Sequence, residues 1–178
     1  MYILGINAYH PDSSACIIND GVLITAIEEE RITRIKHWAG FPILSIKHCL
    51  KEANIKLSDV DYISINRDPK VNLFKKFLHI LRYMPSLYLI LDRLKFKKKY
   101  ETLNKILKKD FSEDKFKGKI INIEHHEAHL SSAFNVSPFK ESCIISVDAF
   151  GDFSSTAWGY GSNNNIKIEN KIFFPHSL

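Results

Sequence analysis

Short apolar runs punctuated by turn residues fill the first third of the chain. Tyr2-Ile-Leu-Gly-Ile-Asn is followed by Ser14-Ala-Cys-Ile-Ile, then by Asn19-Asp-Gly and Val22-Leu-Ile-Thr-Ala-Ile. Runs of this length predict strands, and Asp-Gly between the second and third predicts a tight hairpin, so the fold should open with three antiparallel strands. From Ile43 to Ala53 the spacing turns helical, and Val60-Asp-Tyr-Ile-Ser-Ile-Asn reads as a strand ending near Pro69. Phe74, Phe77, Leu78 and Leu81 then recur at helical spacing, Pro85 breaks the run, and Leu87, Ile90, Leu91 and Leu94 resume it before Leu103, Ile106 and Leu107. This predicts a helical insert with a lysine-rich outer face. Lys119-Ile-Ile-Asn-Ile returns to a strand, a small helix runs through Phe134, and Ser142 to Val147 forms another strand. Thr156-Ala-Trp-Gly-Tyr-Gly and Ile166 to Phe174 predict a hairpin around Gly161 to Asn165. Three strands followed by alternating helices and strands imply an α/β sheet with helices packed over it.

Composition narrows the class. At 178 residues, with 45% apolar and 25% charged residues, the chain suits one globular domain and excludes disordered and collagenous classes. Cys16, Cys49 and Cys143 lack Cys-x-x-Cys spacing, and an odd count without a signal peptide predicts reduced core thiols in the cytoplasm. The longest apolar run, Phe77 to Leu91, is interrupted by His79, Arg82 and Pro85, so no transmembrane segment is expected. Charge is uneven: residues 70–118 hold 14 Lys and Arg against 5 Asp and Glu, a surplus of +9 that leaves the remainder at −4 against +5 overall. The basicity belongs to the insert. Basic amphipathic helices suit nucleic acid or an anionic membrane, but the densest run, Lys95 to Lys99, interleaves only Phe96, so a solvated face is expected and nucleic acid is not the expected partner.

Candidate chemistry concentrates between Glu124 and Asp152. His125 and His129 lie four residues apart on one helix face, and the following strand delivers Asp148 at its end. Two imidazoles and a carboxylate from separate elements outline a metal site, although a polar helix cap and a turn-forming Asp would leave the same residues. His126 sits off that face, and Leu130 rules out His-Glu-x-x-His. Upstream, Asn7-Ala-Tyr-His-Pro-Asp-Ser-Ser brings His10 and Asp12 into a loop that suits either a reacting group or an ordinary turn. Arg34, Lys36 and His37 stand beside Trp38, which suits either an anion attached to a flat ring or a solvated loop. The Gly-rich phosphate loops of dinucleotide and P-loop proteins are missing, which disfavours a sugar-kinase-like ATPase.

Gly5-Ile-Asn with His10-Pro-Asp-Ser-Ser-Ala, Glu28-Glu-Glu-Arg-Ile-Thr-Arg-Ile-Lys-His-Trp-Ala-Gly-Phe-Pro, Glu124-His-His-Glu-Ala-His-Leu-Ser-Ser-Ala-Phe and Ser146-Val-Asp-Ala-Phe-Gly-Asp occur in that order. Together they resemble the start of the carbamoyltransferase family, which includes nodulation and antibiotic O-carbamoyltransferases; only the basic insert falls outside the likeness. The resemblance implies an N-terminal lobe of an actin-like ATPase (ribonuclease H-like) domain, related to the subunit that installs threonylcarbamoyl on tRNA. It further implies transfer of a carbamoyl group to a hydroxyl of a sugar or small metabolite. The donor would be carbamoyl-adenylate, made from carbamoyl phosphate and ATP by a C-terminal domain in cis or on another chain. On matching positions, His125, His129 and Asp148 would ligate iron or zinc, and His10 would act at the reacting carbonyl. Asp12, Arg34, Lys36 and His37 would face the nucleotide. Where family members carry Gly after the strand-end Asp, this chain has Ala149, whose methyl group would interfere if the backbone there had positive φ. The chain stops within what resembles a family motif, so the expectation is a fragment unable to turn over alone. The alternative is a non-catalytic module that contacts a partner through the insert.

Overall fold

A computed structural model describes residues 1–86, 103–112 and 114–177. In chain order the elements are β1 (Tyr2–Asn7), β2 (Ser14–Asn19), β3 (Val22–Glu28), α1 (Glu29–Thr33), α2 (Ile43–Glu52), a 3-10 turn (Leu57–Asp59) and β4 (Tyr62–Ile65). There follow α3 (Leu73–Tyr83), α4 (Leu103–Asp110), β5 (Lys119–Asn122), α5 (His125–Phe134), β6 (Glu141–Gly151), β7 (Ser154–Ser162) and β8 (Asn165–Phe173). The described residues divide into two compact units, one from residues 1–66 and the described part of 92–122, the other from the described parts of 67–91 and 123–178.

The first unit holds a five-stranded sheet of order β3-β2-β1-β4-β5. As the early hairpin predicts, β1, β2 and β3 are antiparallel, while β4 runs parallel to β1 and β5 parallel to β4. Register explains the core. Leu4 lies beside Ile17 and Ile63, and Ile6 beside Ala15 and Ile65, so alternate residues of three strands form one apolar layer. Over that layer α2 lays Ile46, Cys49 and Leu50, and α4 adds Leu103 and Leu107. Each such fully buried Leu or Ile side chain contributes roughly 1.5–3 kcal/mol.

The second unit holds an antiparallel sheet of order β6-β7-β8. Leu130 and Phe134 of α5 pack against Ile144 and Ala157, and Gly161 leaves room for the Phe134 ring, since a β-carbon there would meet it at 2.7 Å. Alternation along β6 turns Ile144 and Ser146 inward, which leaves Cys143 exposed instead of in the core the sequence predicts.

Helix α3 begins and ends as its periodicity predicts, but its orientation is reversed. Asn72, Lys76 and His79 are half-buried, whereas Phe74, Phe77, Leu78 and Leu81 are exposed. Three contacts select this side. Asn72 Nδ2 donates to the Asp152 carbonyl at 2.9 Å, Lys76 Nζ donates to the Val71 carbonyl at 2.7 Å, and the His79 ring stands edge-on to Phe153 and Phe174. The predicted helical run through Leu87, Ile90, Leu91 and Leu94 and the basic run Lys95 to Lys99 lie outside the described residues. Among the described residues, no helix is long and apolar enough to cross a membrane.

Candidate metal centre

Two side chains set the start of α5. Glu124, at the N-cap, accepts the Glu127 N–H at 2.9 Å and holds Lys171 Nζ at 2.8 Å. Asp152 accepts the His125 N–H at 3.0 Å and the Asp68 N–H at 2.8 Å. Carboxylates satisfy amides that a helix start leaves open and complement its dipole. His125 thus becomes the first helical residue, and His129 follows one turn later on the same face with ring centroids 4.6 Å apart.

The carboxylate that meets them comes from an irregularity in β6. Val147 pairs with Thr156 and Gly151 with Ser154, so three residues, Asp148 to Phe150, lie opposite Ser155 alone. Such a bulge re-aims side chains. Asp148 Oδ1 accepts its neighbour's N–H, from Ala149, at 2.6 Å, while Oδ2 lies 2.6 Å from His125 Nε2 and 3.6 Å from His129 Nε2. The two Nε2 atoms are 3.1 Å apart. Asp148 therefore lies inside the irregular end of a longer strand than the sequence predicts.

Donors about 2.1 Å from an ion at octahedral or tetrahedral angles lie roughly 3.0–3.4 Å from one another. The three atoms here all fall within 4.8 Å, and opening the His125–Asp148 contact by about half an ångström would admit an ion. Two imidazole nitrogens and a carboxylate oxygen converge there. Two imidazoles and a carboxylate suit zinc or iron. A β-carbon on Gly151 would overlap the His125 ring, so glycine is required for the ring to lie where it does.

Burial, then the neighbouring His125, lowers the His129 pKa against the opposing pull of Asp148. Burial pulls the Asp148 carboxyl up, but the hydrogen bonds to His125 and Ala149 and the charges of both histidines outweigh it and hold it below the usual carboxylate range. Both shifts favour the unprotonated forms that bind metal. His126, outside the ligand set as its position predicts, is fully buried: Nε2 lies 3.0 Å from the Ser154 carbonyl and Nδ1 3.0 Å from Ser146 Oγ. It ties α5 to β6 and β7.

The β6–β7 turn places positive φ at Asp152 (47°) and Phe153 (77°), and Ala149 is not among the positive-φ residues. The methyl group of Ala149 thus meets no backbone constraint of that kind.

The remaining candidates belong to the first unit. Ser13 N–H donates to the Trp38 carbonyl and Tyr9 N–H to the Gly40 carbonyl, both at 3.0 Å, and buried Ser13 Oγ lies 2.8 Å from the Gly40 carbonyl. These bonds brace the His10 loop against the 34–40 loop. His37 Nδ1 donates to Asp12 Oδ1 at 3.0 Å, and Asp12 and His37 both adopt positive φ, as do Tyr9 and Arg34. His10, Arg34 and Lys36 are exposed on these loops. The structure brings Asp12 and His37 together here and His125, His129 and Asp148 together in the second unit.

Sequence reasoning passed over Glu29, Gly151 and Asp152. Glu29 is buried and accepts the N–H groups of Leu44 and Ser45 and the Ser45 hydroxyl, capping α2 from a distance. No local spacing signals that role. Gly151-Asp152 reads only as a turn, which it also is.

Comparison with known proteins bears on the fold and the family. A solved structure, YeaZ from Pseudomonas aeruginosa, superposes with a TM-score of 0.50 at 11% identity, covering 98% of this chain and 68% of that one. With the β3-β2-β1-β4-β5 order, this establishes the actin-like α/β fold that the resemblance implies. The uncharacterized protein sll1178 of Synechocystis sp. is 37% identical over 99% of this chain and 30% of its own length. The nodulation protein NolNO of Sinorhizobium fredii is 33% identical over 90% of this chain and 23% of its own length. The chain thus spans less than a third of these relatives. The family model described as carbamoyltransferase N-terminus matches residues 2–178, and the chain belongs to that family.

Proposed function

We propose that this chain supplies the metal-holding lobe of an O-carbamoyltransferase, with His125, His129 and Asp148 as ligands of an iron or zinc ion. The observation that carries the reading is the convergence of those three donors within 4.8 Å at positions where the family likeness expects ligands. When bound, the ion would polarise a carbonyl as a Lewis acid. Asp148 Oδ1, held by the Ala149 N–H, leaves Oδ2 for the ion, and Gly151 lets the His125 ring approach.

In this reading an acceptor hydroxyl of a sugar or small metabolite attacks the carbonyl of carbamoyl-adenylate. The new C–O bond forms as the carbonyl carbon's bond to the phosphate oxygen breaks, releasing AMP, and a general base takes the hydroxyl proton. Within the first unit, His10, Arg34, Lys36 and His37 would serve as a separate anion-binding surface, with Asp12 orienting His37 through the bond described above. Carbamoyl-adenylate itself is made from carbamoyl phosphate and ATP by a separate domain, in cis or on another chain.

The test is elemental analysis of protein purified without a histidine tag, comparing the wild type with His125→Ala/His129→Ala. About one ion per chain in the wild type and none in a double variant with unchanged circular dichroism is the expected result. Equal metal content in the two proteins would overturn the assignment.

A further inference from the structure

Most surface helices bury their apolar face, yet α3 does the opposite. Its half-buried positions, Asn72, Lys76 and His79, are polar, while Phe74 is 70% exposed, Phe77 56%, Leu81 57% and Met84 79%. Leu73, Leu78 and Ile80 are exposed beside them. At 3.6 residues per turn the six of these that lie within Leu73–Tyr83 fill one arc of roughly 160° along a helix about 16 Å long. A contiguous apolar surface of this kind marks an interaction site. Among the described residues, none of α3 is buried.

Charge decides between occupants. Arg82 and Lys75 border one edge of the arc, and no carboxylate occurs between Asp68 and Asp92. An apolar groove on another protein would match the arc without requiring a cationic rim. An anionic bilayer matches both features, because acyl chains meet the arc where phosphate headgroups meet its cationic rim. The outer face of the second sheet is a useful contrast. Ile145, Val147 and Trp158 are exposed there too, but the neighbouring charges are mixed, with Lys167 paired to Glu169 at 2.7 Å, and select no lipid.

We propose that α3 is a membrane-docking helix that lies in the plane of an anionic bilayer with Phe74, Phe77, Leu78 and Leu81 bedded among the acyl chains. Too short to span a bilayer, it would hold the protein at the surface reversibly, and this conclusion does not depend on the metal site.

Cosedimentation of the full 178-residue chain with large unilamellar vesicles tests it, using phosphatidylcholine alone and phosphatidylcholine with about one-third phosphatidylglycerol. The wild type should sediment with the anionic vesicles and less so in high salt. Phe77→Glu/Leu81→Glu should lower the partition coefficient at least about tenfold, and Lys75→Glu/Arg82→Glu should remove the preference for anionic lipid. The substituted side chains are exposed, so unchanged circular dichroism and urea-unfolding midpoint verify the fold of each variant. A wild type left in the supernatant, or a Phe77→Glu/Leu81→Glu variant that sediments equally, overturns the proposal. So does a self-association in analytical ultracentrifugation that this variant abolishes while vesicles capture nothing, which would make the face a contact between two copies.

Discussion

Gly151 lies directly against the imidazole of His125, in a position where any β-carbon would overlap the ring. The strand that delivers Asp148 therefore also shapes the seat of the first histidine. Gly151→Ala must displace the ring or bend the end of β6. We expect metal affinity to fall about 10- to 100-fold while the protein stays folded, as measured by competition with a chromogenic chelator. Unchanged affinity would show that the ring position does not matter.

Asp152 joins the turn to the start of α5 through its bonds to the His125 and Asp68 N–H groups. Asn keeps an acceptor oxygen and tolerates the observed positive φ, so Asp152→Asn should change stability little. Asp152→Ala strands two amides and places a methyl-bearing residue at positive φ, and should cost about 1–3 kcal/mol in urea unfolding. Equal effects of the two substitutions would refute the capping role.

Glu29 offers a similar test in the first unit. Its carboxylate accepts three hydrogen bonds at 2.6–3.0 Å from the beginning of α2. Glu29→Ala should destabilise the protein by about 2–3 kcal/mol and Glu29→Gln by less, without altering metal content.

Asp114 carries a pH dependence. Its carboxylate accepts the N–H groups of Leu57 and Ser58 at the start of the 3-10 turn. Burial pulls its pKa up, but the hydrogen bonds from Ser58 and Leu57 and the charge of Lys56 prevail and lower it. A folded-state pKa below the unfolded value gives stability that is fully present above the ordinary carboxylate pKa of about 4 and lost as pH falls through the depressed value. Asp114→Asn should therefore cost about 1 kcal/mol at neutral pH, with the gap to wild type closing below about pH 4. A gap constant in pH would exclude the ionic contribution.

Much of this architecture is legible in local pattern, because alternation in β1 and β2 and the Asp-Gly turn determine both pairing and the buried face. The i,i+4 histidines are equally local. What escapes is decided by partners distant in sequence. Glu29 reads as one of three surface glutamates until α2 offers open amides. The outward face of α3 contradicts its periodicity because contacts to Asp152, Phe153 and Phe174, far along the chain, choose the side that packs. The bulge that aims Asp148 leaves no mark in its composition.

The first unit is not continuous in sequence: the chain leaves it after Asn66, contributes α3 to the second unit, and returns with α4 and β5. During synthesis β4 is made long before β5, and at roughly 5–20 residues per second the interval from Ile65 to Asn122 lasts about 3–11 seconds. For that time the nascent sheet presents an unpaired parallel edge beside Ile63 and Ile65. A chaperone or a slow-translating stretch would find its use in that window, since an open edge is a template for mispairing until β5 closes it.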